Sequence, residues 1–302
     1  MQKHSLLIQL HLCIVSFFIV GCSPVQPNGK TVENTIENKN EHRNFQLPKL
    51  PDTVVFCDVA FPLNNFDVKE RLDKELIVNA YYHSSTIQSF KRANRYFPSI
   101  EQVLKENKIP DDFKYLCLIE SGLTQATSPS GAKGFWQFMP ETSKEFNLTV
   151  NKQIDQRLDV NKSTKAACEY LNNAQSIFND WMLTAASYNR GIGGISRAME
   201  EQQVNRYFDL YLTNETSRYV FRILAMKIIF ENPKAYGFSK TEIEMYEPIE
   251  TKKINVKSSI SNLKLWAKNQ GTNYNMVKLL NPWILGDELI VKNESIIIEI
   301  PK

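Results

Sequence analysis

Glu120 closes an apolar run, Leu116-Cys117-Leu118-Ile119, and is followed by Ser121-Gly122 and, a few residues later, by SPSGAKGFWQFMPET, which ends at Thr142. A carboxyl at the C-terminal end of a helix sits at the negative pole of the macrodipole, which raises its pKa. Partial burial against Leu118, Ile119 or Phe135 raises it further. A carboxyl that keeps its proton near neutral pH is suited to general acid catalysis. Taken alone, a glutamate in such a place is most often a solvated charge, and the flanking residues change that reading. Gly131 and Gly134 let backbone approach a ligand closely, Phe135, Trp136 and Phe138 supply faces for sugar rings, and Gln137 offers both a donor and an acceptor.

Other chemistries find little support. His4 and His11 fall in an apolar N-terminal segment and His42 in a polar stretch, so His83 is the one histidine in the part that folds. Ser/His/Asp or Cys/His catalysis and multi-histidine metal centres each need an imidazole within reach, and none follows position 83. No cofactor and no metal is implied. Cys13, Cys22, Cys57, Cys117 and Cys168 show no C-x-x-C spacing, and Cys117 and Cys168 fall on helical apolar patterns as core residues. The net charge of +3, one unit of it from Lys3, sets up no basic field for nucleic acid.

The elements that must position Glu120 read as helices. DVKERLDKELIVNAYYH repeats Leu72, Leu76, Ile77 and Ala80 at helical spacing, and Ser99 is an N-cap candidate for SIEQVLKEN. PDDFKYLCLIES carries Phe113, Leu116, Cys117 and Ile119 on one stripe and stops at Gly122. Asp159 or Asn161 starts the helix with Ala167, Tyr170, Leu171, Ala174 and Phe178; DWMLTAASYNR forms another, stopped by Gly191, Gly193 and Gly194. SRYVFRILAMKIIF is apolar nearly all round until Asn232-Pro233, which predicts a central buried helix. Residues 53 to about 245 therefore read as one all-α domain. After residue 248 the pattern changes: KKINVKS and SIIIEIP read as strands with two short helical patterns between them. This module resembles the LysM sugar-binding repeat, although Lys257, Ser258 and Ser259 stand where that repeat usually has Gly-Asp-Thr, which leaves glycan binding and a structural or docking role both open.

The N-terminus starts with Lys3, an apolar stretch from Leu6 to Val20, then Gly21 and Cys22. It reads as a secretory signal over residues 1–21. Ile19-Val20-Gly21-Cys22 resembles the bacterial lipoprotein box, so Cys22 is the expected lipidation site and the membrane an expected partner. Ser23 after it points, by the sorting pattern of such lipoproteins, to the outer membrane, facing the periplasm. Residues 22–50 are rich in Asn, Glu, Lys and Pro and read as a flexible linker.

Separated blocks then carry a specific resemblance. Glu120-Ser121-Gly122, Ser130-Gly131-Ala132 with Gly134 and Trp136 to Pro140, Ala186 with Tyr188-Asn189 and Gly191, and TSRYVFRILA with Tyr219 occur in that order. Together they resemble the soluble-lytic-transglycosylase catalytic domain, in the branch of membrane-bound lytic murein transglycosylase D. The resemblance implies a goose-type lysozyme-like, mainly α-helical catalytic domain over residues 51–248, followed by a small α+β LysM-like module over 249–302. It implies peptidoglycan glycan strands as substrate and Glu120 as the sole acid/base. Tyr188 would hydrogen-bond and orient Glu120, Asn189 would shape the same floor, Gln137 and Met139 would line the sugar subsites, Ser121 and Ser130 would position the loop, and Tyr219 would close the cleft. Arg190 and Phe135 depart from the family pattern, which often has a small residue and Leu there, without removing a catalytic group.

Two further readings stay open on the residues alone. A hydrolytic muramidase would keep Glu120 and recruit a base for water, with Glu141 or Asp155 as candidates. An inert peptidoglycan-binding lipoprotein would use the cleft and tail only to hold glycan.

Overall fold

The computed structural model describes residues 47–292 and 295–302. The expected signal segment, Cys22 and the linker up to residue 46 lie outside the described residues. From Pro48 onward the chain lies on the folded part: Pro48 is buried, Leu50 packs on the core, and the Tyr236 hydroxyl donates to Lys49 O at 3.0 Å.

The N-terminal part opens with a small hairpin, β1 (Val55–Phe56) and β2 (Val59–Ala60), whose turn residues Cys57 and Asp58 both take left-handed backbone. The all-α reading missed it because two-residue strands leave no periodic signal. Helices α1 (Phe66–Tyr81), α2 (His83–Glu106), α3 (Phe113–Ser121), α4 (Pro140–Glu145), α5 (Val160–Phe178), α6 (Trp181–Arg190), α7 (Ile192–Gln202) and α8 (Asn214–Glu231) follow. Side-chain caps define several starts: Asn65 accepts from the Asp67 and Val68 amides, Asp159 from Lys162, and Asp180 from Met182 and Leu183.

Helix α8 is the centre, as its nearly continuous apolar surface predicts. Tyr219, Val220, Phe221, Ile223, Leu224 and Ile229 are all buried, and the helix packs on α1, α3 and α6. Such all-round burial leaves α8 few degrees of freedom, so whatever projects from it is held firmly.

Several local expectations are corrected. Ser99 opens no helix: α2 runs unbroken through Pro98, and the Ser99 hydroxyl donates to Tyr96 O. One buried stripe, Phe90, Ala93, Phe97, Ile100 and Leu104, spans the proline and holds the two halves together against the lost backbone bond. Gly193 and Gly194 do not stop a helix; Gly191 alone does, and both lie inside α7. Asp112 caps α3 with no side-chain bond, because its carboxylate instead accepts from Cys57 N and Lys227 Nζ, fastening the hairpin to α8.

The C-terminal module has its own core of Val256, Leu263, Val277, Trp283, Ile284, Leu289 and Ile298. Strand β3 (Thr251–Val256) pairs antiparallel with β4 (Ile296–Pro301), with Thr251 opposite Pro301, and α9 (Leu263–Asn269) and α10 (Tyr274–Leu280) lie between them in sequence. This is the strand, helix, helix, strand order expected. Buried Asn281 ties α10 to β4, donating to Glu299 O and accepting from Glu299 N.

Candidate active site

Glu120 is the penultimate residue of α3, and Gly122 ends that helix in left-handed conformation, its N–H donating to Leu118 O at 2.8 Å. The carboxyl is partly buried, and the Tyr219 hydroxyl, projecting from α8, donates to Glu120 Oε1. Burial lifts the Glu120 pKa above the ordinary carboxylate range. The Tyr219 hydrogen bond and the Arg222 guanidinium oppose that lift, and the charge of Glu215 adds to it. The balance is a carboxyl that retains its proton to higher pH than a solvated glutamate.

The loop after α3 folds back over this helix. Ser121 Oγ donates to Phe135 O at 2.9 Å, and Cys117 Sγ lies 3.6 Å from the same oxygen. Trp136 is fully buried and its indole N–H donates to Thr164 Oγ1 at 2.8 Å. Gln137 takes left-handed backbone at φ 48°, unusual for a residue with a Cβ, and its Nε2 donates to Ala126 O and Gly134 O, which closes the turn on itself. Met139 stands exposed at the end of the loop, just before Pro140 starts α4.

Gly134 could be nothing else. At φ +77° an added Cβ would stand 2.0 Å from Arg157 O, so the loop passes within backbone contact of the 155–158 segment. There Arg157 Nη1 donates to Gly131 O at 2.9 Å and to Phe138 O at 3.2 Å, while its Nε and Nη2 make a forked pair with the Asp155 carboxylate.

Not every expected role survives. Tyr188 does not bond Glu120: its hydroxyl donates to Trp136 O at 2.9 Å, and its ring packs among Trp136, Phe138 and Tyr170. The loop folds directly over α6 and takes that hydroxyl, which leaves Tyr219 as the partner of Glu120. Tyr188 still lies close enough for the Glu120 charge to add to burial in raising its pKa. Asn189 accepts from Thr216 Oγ1 at 2.7 Å and donates to Glu215 Oε1 at 3.2 Å, linking α6 to the first turn of α8. Ser130 is exposed at the turn; Ser128 does the positioning, accepting from the Ala132 amide at 3.0 Å.

The two carboxylates considered as a base for water are engaged elsewhere. Glu141 is exposed and paired with Lys144, and Asp155 is buried in its pair with Arg157. Glu215 is the carboxylate whose charge reaches Glu120, and the sequence reading passed over it. A signal was present: Glu215 and Tyr219 are four apart on one helix and share a face. Among the described residues no group of three or more His, Cys, Asp or Glu side chains is placed to hold a metal ion.

The transglycosylase SLT domain family matches residues 97–209, and the soluble lytic transglycosylase C-terminal LysM-like domain family matches residues 252–302. Membrane-bound lytic murein transglycosylase D of Escherichia coli (strain K12) is 30% identical over 222 residues, which cover 68% of this chain and 48% of that protein. The chain thus spans about half the length of the curated relatives it matches. Among solved structures, the 70 kDa soluble lytic transglycosylase of Escherichia coli aligns with TM-score 0.39 and 23% identity, over 50% of this chain and 27% of that one. A lytic transglycosylase from Pseudomonas aeruginosa aligns with TM-score 0.38 and 22% identity, over 46% and 24%. Residues 97–209 therefore form a transglycosylase SLT domain and residues 252–302 a LysM-like C-terminal domain, and over its matched residues the chain is a homologue of membrane-bound lytic murein transglycosylase D.

Proposed function

We propose that the protein is a peptidoglycan lytic transglycosylase with Glu120 as its one acid/base. The observation that carries the reading is a partly buried carboxyl that accepts from the Tyr219 hydroxyl, has its pKa raised by burial, and is followed directly by Ser121, whose hydroxyl fastens the 131–139 loop to the same helix. Protonated Glu120 gives its proton to the glycosidic oxygen between N-acetylmuramic acid and N-acetylglucosamine as the C1–O bond breaks. The muramic C6 oxygen then attacks C1, and its proton returns to the Glu120 carboxylate. The product is a 1,6-anhydro end, no water is consumed, and Glu120 finishes as it began. The neighbouring N-acetyl group can stabilise the positive centre, so the second carboxylate of the usual glycosidase pair is not required. Gln137, Met139, Tyr188 and Asn189 shape the cleft in this account, with Ser121 fixing the loop that carries the first two.

Purified protein incubated with peptidoglycan sacculi should release muropeptides with anhydro ends by mass spectrometry; products with reducing ends alone overturn the reading. Hydrated products lost on Glu215→Gln would establish a muramidase in its place, since Glu215 is the carboxylate that Glu120 senses.

The protein acts, in this proposal, from the periplasmic face of the outer membrane on a lipid carried by Cys22. The relative's printed description as membrane-bound supports it, as does the lipoprotein-box pattern; no helix among the described residues is long and apolar enough to cross a membrane. Loss of fatty-acid labelling in Cys22→Ala tests the anchor.

A further inference from the structure

The 149–158 segment belongs to two bodies at once. On one side Ile154 forms a β-bridge with Ile284 of the C-terminal module, the Asp155 amide donates to Trp283 O at 2.9 Å, and the Leu285 amide donates to Gln153 O at 2.8 Å. Ile154 and Leu158 pack into the module's own core beside Ile284, which is fully buried. On the other side Arg157 holds the carbonyls of Gly131 and Phe138, and its own carbonyl lies under Gly134. Asp155, 1% exposed, joins the two: its backbone is tied to the module and its side chain to Arg157, itself 4% exposed. The loop so held is the one that Ser121 draws over the Glu120 helix.

We infer that the C-terminal module is a buttress of the active-site loop, acting through Asp155 and Arg157 as positioning residues. Resting on the transglycosylase reading, this gives the module a part in turnover that is separate from any grip on the wall. The physical argument is one of constraint. A loop that carries a left-handed Gln137 and passes in backbone contact with its neighbour needs its geometry fixed from outside. A buried, fully paired arginine supplies that only while Asp155 stays in place, because without its partner the guanidinium would be an uncompensated buried charge. The backbone bonds to Trp283 and Gln153 keep Asp155 there. A module that served only to bind glycan would need no such bonds to the segment beneath the catalytic loop.

The two roles separate on substrate size. A pure wall anchor affects turnover of insoluble sacculi and leaves short soluble glycan fragments untouched; a buttress affects both. The test uses the full chain with Ile284→Glu, the milder Ile284→Ala, Arg157→Lys, and Leu265→Ala on the exposed face of α9 as reference. On a soluble glycan fragment, kcat should fall about tenfold to a hundredfold in Ile284→Glu and Arg157→Lys, and less in Ile284→Ala. KM should stay within about twofold, the split expected when positioning rather than substrate binding is lost. Hydrogen exchange at the 131–138 amides should rise by about tenfold in the same variants and stay at the wild-type rate in Leu265→Ala, with melting scans confirming that each remains folded. Wild-type kcat and unchanged exchange at 131–138 in folded Ile284→Ala and Arg157→Lys would overturn the inference. Because exchange needs no turnover, it decides the buttress even where the wild type yields no anhydro product, an outcome that would fail the transglycosylase reading alone.

Discussion

The Tyr219 hydroxyl donates to Glu120 Oε1, joining the end of α3 to the second turn of the central buried helix α8 across 99 positions of sequence. That bond favours the carboxylate form, while burial favours the acid. The proton affinity of Glu120 is set by the contest between them, with Arg222 on the side of Tyr219 and Glu215 on the side of burial.

The first prediction follows from the sign of each contribution. As a general acid Glu120 must be protonated, so the rate falls as pH rises through its raised pKa. Removing the Tyr219 hydroxyl removes a group that lowers this pKa, so Tyr219→Phe should move the alkaline limb of kcat/KM to higher pH while reducing kcat about tenfold. Glu215→Gln should move the same limb to lower pH. pH–rate profiles of the two variants beside wild type check this, and a shift of both in one direction would contradict it.

Linkage gives a second expectation. A carboxyl whose pKa is raised on folding contributes stability that is fully present below its unfolded value and is lost as pH rises through the folded one. Glu120→Gln cannot ionise, so relative to wild type it should gain stability at neutral pH and lose that advantage in acid. Urea unfolding of both proteins at acidic and neutral pH measures the difference.

Asp155 behaves with the opposite sign. Burial would raise its pKa, but the hydrogen bonds and charge of Arg157, with Lys133 beyond at 3.5 Å, hold it below the usual carboxylate range. Its contribution is therefore present above the unfolded carboxylate pKa and lost as pH falls through the lowered one. Asp155→Asn should weaken the fold at neutral pH and flatten the acid side of the stability profile, followed by thermal melting against pH.

Gly134→Ala should destabilise the protein by about 2 to 4 kcal/mol in chemical denaturation. Its Cβ meets the Arg157 carbonyl, which is backbone and cannot swing away, in a left-handed conformation that L-residues rarely adopt. Gly131→Ala, with open space around it and the same hand of backbone, should cost less.

What could be read in advance was local. The stop at Gly122, the buried α8 and the strand-helix-helix-strand tail follow from spacing and turn chemistry within a few residues, and Glu120 stood out by its flanks. Pairings over long separations were not legible. The resemblance pairs Tyr188 with Glu120 because both lie in matched blocks, and only the folded path of the 131–138 loop shows its hydroxyl taken by Trp136 O. Asp155 read as a candidate base because a sequence displays the carboxylate and hides Arg157 closing on it. The helix break expected at Ser99 failed for the reverse reason, since burial on both sides of Pro98 outweighs a local signal.

The most direct test of the account is digestion of peptidoglycan in heavy-oxygen water by the wild type beside Glu120→Gln, with mass spectrometry of the released muropeptides. Intramolecular attack by the C6 oxygen predicts wild-type products lighter by one water than the hydrolysed sugar and free of the label, with release slowed about 10²–10⁴-fold in Glu120→Gln. Heavy oxygen at the muramic C1, or release by Glu120→Gln at the wild-type rate, would contradict it.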